Sequence, residues 1–223
     1  MHIPDGYLSP PWIIGTYAVT IAYLAFAYRK IKGSYDVGRA IPLMTVFAAG
    51  IFVAQMLNWP IPGGTSLHFV GGALSAIILG PYLASYVMFI VLLVQALVFH
   101  DGGITTLGAN VLNMGIIDVW VGYGLYVLIT KLLSSKLGES RSRFIGAFLG
   151  GWAGITIAGT AAGVEIGLSP WFPYGWQISV PVMATWHALL GIIEGLITAF
   201  VVQYLSTRHP EIFLTKVVGV VRA

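Results

Sequence analysis

Residues 40–100 read AIPLMTVFAAGIFVAQMLNWPIPGGTSLHFVGGALSAIILGPYLASYVMFIVLLVQALVFH, with no Asp, Glu, Lys or Arg from Ala40 to His100. A soluble fold cannot solvate a surface built from such a run. A bilayer needs roughly 20 apolar residues per helical crossing, so there is room for about three crossings. Turn residues divide the run: Pro60-Ile61-Pro62-Gly63-Gly64 and Gly80-Pro81 separate the pieces Ile41–Asn58, Leu67–Gly80 and Tyr82–Phe99. The second piece is short and is expected to begin below the membrane surface. Working outward, four more apolar runs follow the same pattern, Pro11–Tyr28, Gly108–Thr130, Phe144–Ile166 and Ile178–Leu205. The expected fold is an all-α membrane protein with seven transmembrane helices, forming one domain over residues 1–206 and followed by a cytoplasmic tail over residues 207–223.

Composition agrees. The 223 residues are 57% hydrophobic and 9% charged, with a mean hydropathy of +0.87, whereas soluble domains carry about a quarter of their residues as charges. Soluble enzymes and disordered regulators are excluded. Nucleic acid is excluded as a partner as well, because 11 Lys and Arg and a net charge of +3 supply no clustered cationic face for phosphates. The absence of cysteine removes disulfides, zinc–thiolate sites and iron–sulfur clusters.

The few basic residues orient the helices. Arg29, Lys30, Lys32 and Arg39 lie between the first and second runs, Lys131, Lys136, Arg141 and Arg143 between the fifth and sixth, and Arg208, Lys216 and Arg222 after the seventh. Lys and Arg near helix ends stay cytoplasmic. Seven crossings place all three clusters inside, so the N-terminus and the loops near 59–66, 100–107 and 167–177 are expected outside. The first run is not expected to be a cleaved signal peptide, since its charged flank follows the apolar run.

The outer face carries the chemistry. The chain starts Met1-His2-Ile3-Pro4-Asp5-Gly6-Tyr7, and a residue as bulky as His2 is expected to leave the initiator methionine in place. A free Met1 amine, the His2 amide nitrogen and the His2 imidazole Nδ1 then close adjacent chelate rings. Three coplanar nitrogens favour square-planar or tetragonal Ni(II) or Cu(II). His68 opens the third run on the same side and is the natural fourth nitrogen donor, or alternatively a capping or packing residue. Asp5 is expected either to orient the His2 ring by accepting its free N–H or to serve as a turn residue before Gly6. His100 reads as a capture residue at the mouth or as a solvated loop histidine.

These motifs, together with Gly64-Thr-Ser-Leu-His68-Phe-Val-Gly-Gly72, Asp101-Gly-Gly-Ile-Thr-Thr-Leu-Gly-Ala-Asn110 and Asn113-Met114-Gly115, resemble the CbiM/NikM family. Its members are the substrate-binding components of energy-coupling-factor transporters for nickel and cobalt. The likeness runs along nearly the whole chain. It implies a seven-helix fold with the N-terminal segment inserted from outside, and a Ni(II) or Co(II) substrate held by the Met1 amine, the His2 amide and imidazole, and His68. Asp101 and its glycines are expected to form a lid, with Asn110 and Asn113 bonding the inserted strand. The resemblance further implies a prokaryotic cell membrane, a cytoplasmic ATPase pair, a transmembrane coupling subunit and a small accessory membrane subunit. It points to Ala18 and Ala22 on the first helix as contacts for the coupling subunit.

Ionisable groups within the apolar runs, Asp118, His187 and Glu194, are expensive in a bilayer. They mark either a proton-coupled path, which would make the protein an autonomous carrier, or internal pairing, the favoured reading. Small residues at four-residue spacing, Gly146, Gly150 and Gly154, then Gly191 and Gly195, are expected to let helices pack closely. There is no phosphate-binding Gly-Lys-Ser/Thr loop, no His-Glu-x-x-His pair and no nucleophile paired with a base, so no enzyme activity is expected. A cobalt-specific subunit serving cobalamin synthesis is the alternative to nickel. Metal binding is expected to release protons and to weaken below about pH 6, since a free α-amine titrates near 7.7–8.0.

Overall fold

The computed structural model describes residues 1–215. Lys216 and Arg222 of the last basic cluster, and the tail from residue 216 onward, lie outside the described residues. The elements are α1 (Pro10–Ile31), α2 (Val37–Gln55), β1 (Trp59–Pro60), β2 (Ser66–Leu67), α3 (Gly72–Leu79), α4 (Pro81–Val94), α5 (Leu107–Asn110), α6 (Asp118–Leu137), α7 (Glu139–Leu168) and α8 (Trp176–Arg208). A π-helical turn, Gln95–Phe99, extends α4, and a longer one, Val111–Ile117, joins α5 to α6. Such turns put an extra residue into a helix and often mark functional positions.

Among the described residues, six helical bodies are long and apolar enough to cross a membrane: Pro10–Ile31, Val37–Gln55, Pro81–Phe99, Leu107–Leu137, Glu139–Leu168 and Trp176–Arg208. The third predicted run departs from expectation. Its helix begins at Gly72, four residues after His68, and has only eight residues. Gly71 takes a left-handed backbone at φ 79°, and Gly80 ends the helix at φ 91°. Pro81 reinforces that end, because the residue before proline is pushed out of the α region. At about 1.5 Å per residue α3 is some 12 Å long, too short to span. An extended strap over residues 66–71 completes the passage through the bundle.

The two ends of the bundle hold the segments that the charge pattern grouped. At one end the Ser9 N–H donates to Ser169 Oγ at 3.0 Å, and the Gly103 N–H donates to the Ile3 carbonyl at 3.0 Å. At the other, the Leu214 N–H donates to the Ile78 carbonyl at 2.9 Å and Gln203 Nε2 donates to Ser140 Oγ at 2.7 Å. The Arg39 guanidinium donates to the Glu211 carbonyl there. The N-terminus therefore shares an end with the 59–67 hairpin and the 100–106 loop, opposite the basic loops.

Glycines set the spacing of α6, α7 and α8. A Cβ on Gly150 would lie 2.5 Å from the Gly122 carbonyl oxygen, and one on Gly195 would lie 2.6 Å from that of Phe148. Ala18 and Ala22, by contrast, are exposed on α1. Overpacking a helix contact typically costs about 1–3 kcal/mol, so Gly150→Leu is expected to lower the thermal unfolding temperature of the detergent-solubilised protein. Ala22→Leu is expected to leave it unchanged. Equal stability of the two variants would show that α6 and α7 do not depend on this close approach.

Candidate metal centre

The first three residues lie buried in the bundle, Asp5 and Gly6 are exposed, and Leu8 is buried again, with Met1, Ile3 and Leu8 all inaccessible to solvent. Buried main chain must find internal partners, and Asn110 supplies them for Ile3. Its Oδ1 accepts the Ile3 N–H at 2.8 Å and its Nδ2 donates to the Ile3 carbonyl at 3.1 Å. Thr106 Oγ1 donates to the same carbonyl. The role expected of Asn110 is thus what the geometry contains.

Pinning Ile3 sets Met1 and His2 against the strap. The Met1 amine donates to Ser66 Oγ at 3.2 Å, and the His2 amide N–H donates to the same oxygen at 3.1 Å. Two consecutive nitrogens of the chain therefore converge on one point. His2 Nε2 lies 3.0 Å from Gln95 Oε1. That carbonyl oxygen can only accept, so the ring proton is assigned to Nε2 and Nδ1 keeps its lone pair. His68 is inaccessible to solvent, and its Nδ1 donates to the Phe69 carbonyl at 2.7 Å. That assignment leaves its Nε2 as a free donor atom to a metal. Neither His2 Nδ1 nor His68 Nε2 has a hydrogen-bond partner among the described residues. The two rings stack with centroids 4.2 Å apart and planes 21° apart. A single coordination plane shared by both nitrogens requires the His68 ring to turn from this stack.

Burial makes these nitrogens available. It holds the Met1 amine well below its ordinary value, against the opposing pull of Asp101 and Glu194. Burial, with the adjacent amine, brings the His2 ring down to about 3 against the Gln95 bond. The ring is therefore neutral at pH 7, and burial pushes the amine toward the neutral form that donates a lone pair. Among the described residues no cluster of three or more His, Asp or Glu side chains is arranged to hold a metal. Main-chain nitrogen must complete any site.

Three expected neighbours are placed otherwise. Asp5 does not accept from the imidazole: its carboxylate receives the Ile104 N–H at 3.3 Å, the Thr105 N–H at 2.8 Å and the Thr105 hydroxyl, because the φ 85° turn at Gly6 follows a strand that points Asp5 at the loop. Gln95 takes the imidazole N–H instead. Asn113 does not bond the inserted strand; its Nδ2 donates to Glu165 Oε2 at 2.7 Å, because the π-turn rotates it toward α7. Asp101 comes closer than a lid residue, with Oδ1 at 3.2 Å from His2 Nδ1. His100 is exposed and left-handed, at φ 55°, which fits the solvated loop reading.

Two of the intramembrane carboxylates, Glu194 and Asp118, serve the strap. Glu194 accepts the Val70 and Gly71 N–H groups at 2.9 and 2.8 Å, and Asp118 accepts the Ala73 N–H at 3.1 Å. Gln55 Nε2 donates to the Val70 carbonyl at 2.8 Å. His187 Nδ1 donates to Met183 O at 2.7 Å within its own helix. Sequence reasoning missed Ser66, Gln95 and Gln55. The two glutamines stood out in principle as amides inside apolar runs, whereas nothing distinguishes Ser66 from an ordinary turn serine.

Comparison with known proteins fits this geometry. The CbiM family model, described as the cobalt uptake substrate-specific transmembrane region, matches residues 2–212. A putative fused nickel transport protein, NikMN, of Archaeoglobus fulgidus is 50% identical over 216 residues, covering 97% of this chain and 69% of the relative. A putative cobalt transport protein, CbiM, of Methanococcus voltae is 36% identical over 217 residues, covering 96% and 94%. The solved structure of a truncated transition metal transporter superposes with a TM-score of 0.85 at 41% identity, covering 94% of this chain and all of that one.

Leaving a buried N–H unpaired costs roughly 1–3 kcal/mol. Glu194→Ala strips the acceptor from two of them and is expected to lower both thermal stability and metal affinity, with Glu194→Gln, which keeps one acceptor oxygen, affected less. Unfolding in detergent and titration with Ni(II) check both; an alanine variant as stable and as tight as the parent would remove Glu194 from the support of the strap.

Proposed function

The chain belongs to the CbiM family and is a multi-pass membrane protein, and from that premise we propose that it is the substrate-specificity subunit of an ATP-driven importer of the energy-coupling-factor type. Its substrate is Ni(II), with Co(II) as the ion that the same donors also suit. The observation that carries this reading is the convergence of the Met1 amine and the His2 amide on the Ser66 hydroxyl, beside the unpaired His2 Nδ1 and His68 Nε2. Four nitrogens, three of them in adjacent chelate positions, suit a d⁸ ion in a square plane. Names of relatives agree in class: fused nickel transport protein and cobalt transport protein.

In the proposed orientation the metal end faces outward, because the opposite end carries the basic loops. The chain has no phosphate-binding loop of its own, so the energy comes from partners: an ATPase pair, a transmembrane coupling subunit and a small accessory membrane subunit. Exposed Ala18 and Ala22 on α1 offer a surface on which a partner helix can approach closely. Ala22→Leu is expected to reduce co-purification of the coupling subunit while leaving metal binding by the isolated chain unchanged.

The chelate requires a free amine. One residue added before Met1 is expected to abolish the high-affinity site, and His2→Ala and His68→Ala are each expected to weaken it by at least about 100-fold, as losing an equatorial ligand does. Ni(II) titration by calorimetry reads both, and unchanged affinity in the extended protein would refute the chelate.

The pH dependence follows from the neutral amine and ring. With the ring neutral at pH 7 and burial favouring the neutral amine, the His2 amide is the main source of protons, so about one proton is expected to leave per ion and affinity to fall about tenfold per unit as pH drops from roughly 8 to 6. A steeper fall begins only when pH passes through the lowered amine value, later than a solvent-exposed amine predicts. Calorimetry in buffers of different ionisation enthalpy counts the protons; two per ion at pH 7 would show that the amine is not held neutral.

A further inference from the structure

Asp101 sits where the buried nitrogens meet solvent. The left-handed His100 ends the π-turn, and the Asp101 N–H donates to the Gln95 carbonyl at 3.1 Å, so the residue that holds the His2 ring by its side chain also anchors Asp101 by its main chain. Asn58 Nδ2 lies 3.2 Å from each carboxylate oxygen and fixes the carboxylate plane. The Asp101 side chain is 22% exposed, the His2 side chain 2%. Asp5 is no alternative, its oxygens being occupied by Thr105 and Ile104.

The contact between Asp101 Oδ1 and His2 Nδ1, at 3.2 Å, is not an ordinary hydrogen bond. With the ring proton assigned to Nε2 by its contact with Gln95, Nδ1 keeps its lone pair and has no aligned partner. Two lone-pair donors thus face each other. That arrangement is unfavourable unless a cation lies between them. Bonds of about 2.0–2.2 Å meeting at a right angle place two donors about 3 Å apart, close to the observed separation.

We propose that Asp101 is a direct oxygen ligand that captures the incoming divalent ion together with His2 Nδ1, and then remains beside the four-nitrogen plane as its counter-charge. The inference takes the chelate proposed above as given and adds a fifth donor to it. In the closing step the His2 amide N–H bond breaks, a metal–nitrogen bond forms, and the proton leaves to water. The dication bound to one amidate keeps one positive charge. The Asp101 carboxylate cancels it, which matters because an uncompensated charge at a buried site is costly. Before closure, a carboxylate at the mouth attracts the hydrated cation, which the neutral nitrogens do not.

The test is stopped-flow loading of the full chain in detergent with Ni(II), followed by the visible absorption of the four-nitrogen complex. Asp101→Asn keeps the shape and still accepts from Asn58 through its amide oxygen. It is expected to slow association by about tenfold or more and to weaken affinity by a similar factor, with the final absorption band little changed. Asp101→Ser is expected to behave alike and serves if the amide variant is not recovered folded. Asn58→Leu leaves the carboxylate but frees its plane, and is expected to slow association clearly less than Asp101→Asn does. Parental loading in both Asp101 variants would overturn the proposal. So would an equal loss in Asn58→Leu, which would make Asp101 a packing residue. The chain extended before Met1 separates the two readings: an unchanged band there refutes the chelate itself, whereas loss of that band with normal loading of Asp101→Asn refutes only the fifth donor.

Discussion

Ile3 presents an amide and a carbonyl to the inside of a helical bundle, and both are bonded by the side chain of Asn110. The remaining features of the metal end depend on that pairing. A membrane interior gives unpaired main chain no water to turn to, so an inserted N-terminal strand exists only if a donor and an acceptor are waiting at the right depth. One carboxamide supplies both. With Ile3 fixed, the two preceding nitrogens have no freedom to go elsewhere, and they fall on Ser66. A flexible terminus, whose ordering would otherwise cost conformational entropy at each residue, is thereby arranged beforehand.

The strap that carries Ser66 and His68 faces the same difficulty, and the buried carboxylates solve it. Val70, Gly71 and Ala73 lie just before or within the first turn of α3, where main-chain N–H groups have no partner inside the helix. Glu194 takes two of them and Asp118 the third. Isolated carboxylates in a bilayer span invite a reading as a proton path. Here each has a main-chain donor whose loss would shift His68. The geometry accounts for them without requiring proton movement, which favours the bland expectation over the carrier.

Much of this was legible in the sequence, in a graded way. The spans follow from charge-free length, a signal as strong as any in a sequence, and five of the seven expected runs became helices of nearly the expected extent. The second was shifted, ending at Gln55 and not Asn58. The third failed because apolarity reports burial and not conformation. The strap is as apolar as a helix, yet Gly71 and the close approach of Gly72 to Asp118, where a Cβ would lie 2.2 Å from Oδ2, start the helix late. His2 and His68 stood out in the sequence because chelation imposes a residue type at a fixed place, and the structure brings their rings to 4.2 Å between centroids. Asn113 was misplaced, and Asp5 keeps only the turn role of the two offered for it, for the opposite reason: a carboxylate or a carboxamide satisfies many partners, and only the turn at Gly6 and the π-turn at Val111–Ile117 decide which. Gln95 could be noticed but not assigned, since its partner is more than ninety positions away.

The choice of donors also suits the place. A site that must exist without its ion at membrane depth is penalised for every charge it carries, and carboxylate ligands would face that penalty whenever the ion was absent. The proposed donors, imidazole, an amine that burial pushes toward its neutral form and an intact amide, largely avoid it. In the proposed chelate, the charge that balances the ion would appear only on binding, when the amide loses its proton. A lasting negative charge needs either water or main-chain N–H donors beside it; Glu194 and Asp118 have the second, and Asp101, partly exposed and steadied by Asn58, has the first. On the proposed reading, neutral nitrogens inside and one carboxylate at the edge would let the same pocket be stable empty and close to electroneutral when filled, a requirement that soluble metal sites built from several carboxylates do not face.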